Sequence, residues 1–231
     1  MASRKLLETV QVTDSVFFDF DGPICDVFSG IPASEVARSL VETMREFSHE
    51  ISKEMEGMDF MDALRLSPQG GKRALRAVEE RLIESELAAV KLAGEPTPGA
   101  VASLEAARRS GRAVAIVSNN SAECVQQFLA EHHLSSLVQV ISGRPIYKPH
   151  LMKPAPYSLL RSSDLLGVAP ERCTLVGDSV SDVEAAVVAG ARSIGFANRD
   201  GKDVSLADAG ADVVISSMGV LADALAKCPS R

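Results

Sequence analysis

The chain has 231 residues, 46% of them hydrophobic and 24% charged, with a formal net charge of −7. That is enough apolar content for one large domain, or for a core with a smaller insert, and the acidic balance argues against a nucleic-acid partner, which would call for a basic face. No apolar run approaches the roughly 18 residues of a membrane span, and the start, Met1 to Leu7, runs on into Glu8 rather than into an apolar signal core, so a cytoplasmic protein with no membrane partner is expected. Cys25, Cys124, Cys173 and Cys228 lie far apart with no CxxC pairing, and read as packed or idle thiols rather than a zinc or redox site.

The first element along the chain is a short apolar strand, Val16-Phe17-Phe18, which runs straight into Asp19-Phe20-Asp21-Gly22. Two carboxylates one residue apart repel each other. The pair persists where a cation sits between them or where their protons take part in chemistry. Alone, the string is weak evidence, because Asp-x-Asp-Gly also opens calcium loops and a single Asp at a strand end is commonly a turn former.

Residues 30 to 93 contain no convincing strand. Val36, Leu40, Val41, Met44, Phe47 and Ile51 form one helical stripe, and Leu75, Val78, Leu82, Ile83, Leu87 and Val90 form another. Ser67-Pro68-Gln69-Gly70-Gly71 breaks this helical region, and Gly94 to Gly99 is the hinge out of it. From Ala113 onward β-branched runs alternate with amphipathic helices: Ala113 to Ser118, Leu137 to Ser142, Cys173 to Gly177, Arg192 to Phe196 and Asp212 to Ser216 read as strands. Helix starts are marked by Thr97-Pro98, by Asn120-Ser121-Ala122-Glu123 with Asn120 as the cap, and by Pro156. The expected fold is α/β, a Rossmann-like doubly wound parallel sheet of residues 1–29 and 95–231, with an inserted helical unit of residues 30–94.

Strands of a parallel sheet end on one edge, and ligands collect outside it. Asp19 and Asp21 end the first strand, Ser118 and Asn119 the second, and Gly177-Asp178 the fourth. Asp178 and Asp182, four apart at a helix start, lie on one face. With Asp19 they form an oxygen-rich set suited to magnesium, which prefers one or two carboxylates, waters and a substrate phosphate.

In this order the chain resembles the haloacid dehalogenase-like hydrolases: Asp19-Phe20-Asp21-Gly22 is similar to the family's first motif, the strand ending in Ser118 to its second, Lys153-Pro154-Ala155-Pro156 to its third, and Gly177-Asp178-Ser179-Val180-Ser181-Asp182 to its fourth. The helical insert resembles the family's C1 cap, as in phosphoglycolate phosphatase-like and phosphoglucomutase-like members. The resemblance implies that Asp19 is the nucleophile and Asp21 the general acid and base. It implies that Asp19, Asp178 and the Asp21 carbonyl hold magnesium, with Asp182 behind them. Ser118, the Asn119 backbone and Lys153 would bind the transferring phosphoryl group. Lys148, also followed by proline, is a rival for the third motif; Lys153 is preferred because its motif leads directly into the Pro156 helix. His132 and His133 sit at a helix end and are given no catalytic role.

Pro23 departs from the family, which usually has Thr there, and a loop brace is lost in exchange for a fixed φ. Cys25 lies close to the crevice but reads as a packed thiol. The expected function is magnesium-dependent hydrolysis of a small phosphate monoester through an aspartyl-phosphate. The alternatives are a sugar phosphomutase, which shares every residue named so far, and a phosphate-regulated binding module, for which Asp21 would have no use. The insert offers Arg45, Lys53, Arg65, Lys72 and Arg73 without indicating which face inward, and a monomer is expected.

Overall fold

Strand β1 (Ser15–Phe18) is buried on both faces, which is why it reads as an unbroken apolar run rather than an alternating one. In the computed structural model, which describes residues 2–229, it lies at the centre of a six-stranded parallel sheet. Its neighbours are β2 (Ala113–Val117), β3 (Val140–Ser142), β4 (Cys173–Gly177), β5 (Arg192–Phe196) and β6 (Val213–Ile215). The order is β3-β2-β1-β4-β5-β6. Met1, Ser230 and Arg231, at the outer limits of the expected core ranges, lie outside the described residues.

Alternate side chains of β1 feed separate cores. Val16 and Phe18 pack with helices α1 (Arg4–Gln11), α6 (Ala100–Arg109), α7 (Ala122–Glu131) and α11 (Met218–Lys227), whereas Phe17 packs with α8 (Tyr157–Leu166) and α9 (Val180–Ala189) on the opposite face. The chain leaves β1 in one direction to build β2 and β3, then returns to β1's other side for β4, β5 and β6. The reversal between β1 and β4 opens a crevice at their carboxyl ends. Register pairs Phe18 with Val176, so Asp19 and Gly177-Asp178 emerge side by side.

Between β1 and α6 the chain forms α2 (Ala33–Arg45), α3 (His49–Glu54), α4 (Phe60–Leu66), a 3-10 turn over Ser67–Gly70 and α5 (Lys72–Val90). Val36, Leu40, Met44, Phe60, Leu64, Val78 and Leu82 make a core of their own, joined by Met152 from the loop before α8. The far end of α5 belongs elsewhere: Ala89, Val90 and the following Ala93 pack against the sheet-side core. α10 (Lys202–Asp208) lies between β5 and β6.

Several local expectations are corrected. The third strand is shorter than 137–142, because Ser135–Leu137 coils into a 3-10 turn; Gln139 compensates by accepting the Val114 N–H through Oε1 at 2.8 Å. Thr97 does not cap α6, whose cap is Gly99; the Thr97 hydroxyl instead donates to the Gly22 carbonyl at 2.7 Å. The cap of α7 is Ser121, whose hydroxyl accepts from the Cys124 N–H, and not Asn120. Phe47 is 38% exposed rather than part of the buried stripe. Helix α1 had no sequence assignment.

Arg112, fully buried where α6 turns into β2, fastens α1 and the end of α11 to the sheet. It donates to the carbonyls of Val10 (2.7 Å), Thr13 (3.0 Å) and Cys228 (2.6 Å). Arg112→Met roughly keeps the volume and takes the side-chain donor from the Thr13 and Cys228 carbonyls, while the Val10 carbonyl still accepts the Thr13 N–H. It is expected to destabilise the protein by about 3 kcal/mol or more in denaturant titration, with no change in the geometry of the crevice.

Candidate active site

Asp19 follows the last residue of β1. Its N–H donates to the Val176 carbonyl of β4 at 2.8 Å, so the residue is clamped by the ladder that builds the crevice. Its Oδ1 accepts the Phe20 N–H at 2.7 Å and faces Lys153 Nζ at 2.9 Å. Oδ2 is thereby turned toward the crevice. Burial pushes the Asp19 carboxyl up to about 7, with the Asp182 and Asp178 charges reinforcing it and Lys153 opposing.

Asp21 sits on the rim of the same turn. Val27 N–H donates to its Oδ1 at 2.9 Å, yet burial outweighs that bond and, helped by the Asp178 and Asp26 charges, pushes the carboxyl up to about 6. The turn closes with Gly22 N–H donating to the Cys25 carbonyl at 2.7 Å, while Thr97 supports the Gly22 carbonyl from outside. Pro23 stands where a hydroxyl brace is expected, and the Thr97 hydroxyl from the hinge segment braces the same loop. Gly22 has a φ of +97°, and a Cβ there would stand 2.5 Å from Asp178 Cγ, so this position admits only glycine. Cys25 is fully buried and its thiol is pushed up by that burial and by Asp21, which leaves it a packing residue.

Asp178 follows β4, where Asn198 Nδ2 donates to its Oδ2 at 3.0 Å and Lys202 Nζ pairs with the same oxygen. Asp182 closes a capping box with Ser179 at the start of α9, and Lys153 Nζ donates to its Oδ1 at 2.5 Å. Gly177 is required beneath it, since a Cβ there would lie 2.3 Å from Asp182 Cγ. Asp19, Asp178 and Asp182 each offer an oxygen, all within 4.8 Å of one another. Such an all-oxygen, anionic set, held against the Cβ-free backbone of Gly22, fits a hard divalent cation.

Lys153, buried to 3% exposure, bridges Asp19 and Asp182 and also donates to the Val117 carbonyl at 3.1 Å. The two carboxylates hold its charge in place and raise its pKa despite the burial. Asn119 anchors it: the Lys153 N–H donates to Asn119 Oδ1 at 2.8 Å, and Asn119 Nδ2 donates to the Lys153 carbonyl at 3.2 Å. Ser118 Oγ donates to Asn120 Oδ1 and accepts the Asn120 N–H, both at 3.1 Å. All seven expected residues, Asp19, Asp21, Ser118, Asn119, Lys153, Asp178 and Asp182, thus gather at one crevice; six line a cavity of about 450 Å³, and Asp182 sits just behind it. Lys148 is exposed before the Pro149–Leu151 turn and takes no part in lining that cavity. His132 packs on Phe128 with ring centroids 4.2 Å apart.

Sequence reading missed a second charged assembly. Glu79 and Glu86 of α5 are fully buried and both meet Arg144, at 2.7 Å each. Arg144 also donates to the Asn119 carbonyl at 2.7 Å, and Glu86 accepts the Ser121 N–H at 3.0 Å. The long helix of the insert therefore holds the backbone of the loop after β2. The available signal was two acids seven apart inside an apolar stripe. Asn198 and Lys202, the partners of Asp178, had no signal beyond following β5.

A sequence profile of the haloacid dehalogenase-like hydrolase family matches residues 13–190. A phosphoglycolate phosphatase of Aquifex aeolicus is 27% identical over 188 residues, covering 77% of this chain and 82% of that enzyme. A beta-phosphoglucomutase of Mycobacterium tuberculosis is 33% identical over 123 residues, covering 51% of this chain and 46% of that protein. Among solved structures, a HAD family hydrolase from Deinococcus radiodurans with bound phosphate and sodium superposes with a TM-score of 0.63 at 26% identity, covering 94% of this chain and 97% of that one.

Two stability effects follow. Between the ordinary carboxylate range and pH 7 the folded chain holds the Asp19 proton more tightly than the unfolded chain does, so stability in chelator falls as pH rises through that window. Asp19→Asn should therefore raise the melting temperature in chelator at pH 8, and raise it less at pH 5; equal shifts at both would show that Asp19 does not titrate there. Glu86→Ala leaves Arg144 half-paired in the interior and should cost about 3–5 kcal/mol in denaturant titration.

Proposed function

Because the chain belongs to the haloacid dehalogenase-like hydrolases, we propose that it is a magnesium-dependent phosphatase that hydrolyses a small phosphate monoester through an aspartyl-phosphate on Asp19. The observation that carries this reading is the pairing of two carboxyls with different surroundings at one strand end. Asp19 is bonded to Lys153 and grouped with Asp178 and Asp182, whereas Asp21 stands apart with its carboxyl raised to about 6. Without a cation Asp19 holds its proton the more tightly of the two, at about 7; with a divalent ion and Lys153 keeping Asp19 ionised, Asp19 attacks and Asp21 carries the proton.

In the first step Asp19 Oδ2 attacks phosphorus, the P–O bond to the alcohol breaks, and Asp21 gives its proton to the departing oxygen. In the second, water attacks phosphorus, its proton passes to the Asp21 carboxylate, and the bond to Asp19 breaks to release phosphate. Lys153 supplies fixed positive charge to the phosphoryl oxygens, the Asn119 N–H and the Ser118 hydroxyl, turned from Asn120 Oδ1, donate to them, and the Asn119 side chain holds Lys153 in place. Asp19, Asp178 and the Asp21 carbonyl would hold magnesium, with Asp182 fixing Lys153 behind them; the ion would neutralise the charge that keeps a carboxylate from a phosphate. Residues 30–94 form the cap over this site, and residues 1–29 and 95–231 the catalytic core. Monomeric action in the cytoplasm on a diffusible ester belongs to the same reading.

Two relatives of the mutase kind, including the M. tuberculosis protein, favour a second reading, transfer between positions of a hexose phosphate. A hexose 1-phosphate separates the two: its 6-phosphate isomer appears with a mutase, and free phosphate with a hydrolase.

Hydrolysis of an aryl phosphate should require magnesium and be lost in Asp19→Asn. Turnover that survives this substitution would end the proposal. With an alkyl phosphate in saturating magnesium, where the cation keeps Asp19 ionised, kcat/KM should decline as pH rises above about 6, since only protonated Asp21 can donate; Asp21→Asn should abolish that limb and slow turnover by about 10²–10⁴-fold.

A further inference from the structure

The cavity that the proposed phosphate site opens into has two unlike walls. On the core side stand Lys153, Ser118, Asp19, Asp21 and Asp178. Opposite, the insert and the segment leading to it contribute Asp26, Phe28, Asp59, Phe60 and Met61. Phe28 and Phe60 form an aromatic pair with ring centroids 4.8 Å apart. Asp59 caps α4 and accepts the Met61 N–H at 2.8 Å, so the positive end of that helix already has its anion.

None of the insert's cations lines this wall. Arg45 pairs with Glu56, Arg65 is taken by Asp62 and the Lys153 carbonyl, and Lys72 and Arg73 border a separate depression beside Phe47. Arg199, the other cation on the cavity, comes from the core rim beside Asp21. Neither Asp26 nor Asp59 has an ion-pair partner among the described residues.

From this wall, and resting on the phosphatase reading above, we infer that the alcohol portion of the substrate carries no negative charge: the site takes phosphates of short amino alcohols or polyols and discriminates against phosphorylated hydroxy acids. A carboxylate on the leaving group would face Asp59 and Asp26 with no cation on that wall, Arg199 standing on the core rim beside Asp21. An ammonium or a hydroxyl would find a carboxylate acceptor and, for the ammonium, an aromatic face as well.

The test compares kcat/KM for ethanolamine phosphate, glycerol phosphate and 2-phosphoglycolate in magnesium, with an aryl phosphate and Asp19→Asn as references. Phosphoglycolate should be poorer than both others by about tenfold or more. Asp59→Lys should shift the ratio of phosphoglycolate to glycerol phosphate toward the acid within one enzyme sample, a ratio that partial misfolding leaves intact. Phosphoglycolate preferred by the wild type, with aryl phosphate turnover still dependent on Asp19, overturns this inference alone. An unchanged ratio in Asp59→Lys overturns the assignment of discrimination to this wall. No Asp19-dependent turnover of aryl phosphate overturns the phosphatase reading and the inference with it.

Discussion

Three carboxylates within 4.8 Å of one another, at least two of them buried, are the constraint on which the rest of this crevice depends. Such a group is tolerated only where cations are built around it. Lys153 reaches in from the loop before α8 to touch Asp19 and Asp182, and Lys202 reaches from α10 to Asp178. The backbone makes the same accommodation. Gly22 and Gly177 leave out the Cβ atoms that would strike Asp178 and Asp182, and the Ser179 N–H at the start of α9 donates to Asp182 Oδ2. The raised Asp19 and Asp21 carboxyls mark groups held against their solvation preference, as chemistry at a site often requires.

The Arg144 assembly obeys the same physics with a different result. Glu79, Glu86 and Arg144 are as deeply buried as the crevice carboxylates, and here too each acid meets a cation at hydrogen-bond distance, but none of the three lines the crevice cavity. Paired charge placed away from the cavity fixes geometry. Here it fixes α5 against the loop carrying Ser118 and Asn119, so the helical insert and the loop after β2 share one set of bonds.

How much of this was legible depended on whether a residue's reason lay near it in sequence. The sheet was readable because strands buried on both faces leave unbroken apolar runs, and Asp19, Asp21 and Asp178 because each ends such a run. Lys153 over Lys148 was decided by the proline pattern leading into α8. By contrast, Glu79 and Glu86 look like solvated helix acids until Arg144, some 60 residues later, is brought beside them. Thr97 reads as a cap and serves as a brace for Gly22, because its partner is 75 residues upstream. Local grammar gives the elements, while long-range polar pairs are invisible to it.

Met152 and Lys153 are adjacent in the chain yet live in different interiors. Met152 is packed inside the helical insert, and Lys153 is buried among the carboxylates of the sheet edge. One peptide link therefore ties the helical insert to the sheet edge. Any swing of the helices away from the sheet would have to extract the thioether from its socket or drag the ammonium off its two acids, so access to the chamber and the electrostatic readiness of its base are mechanically one event.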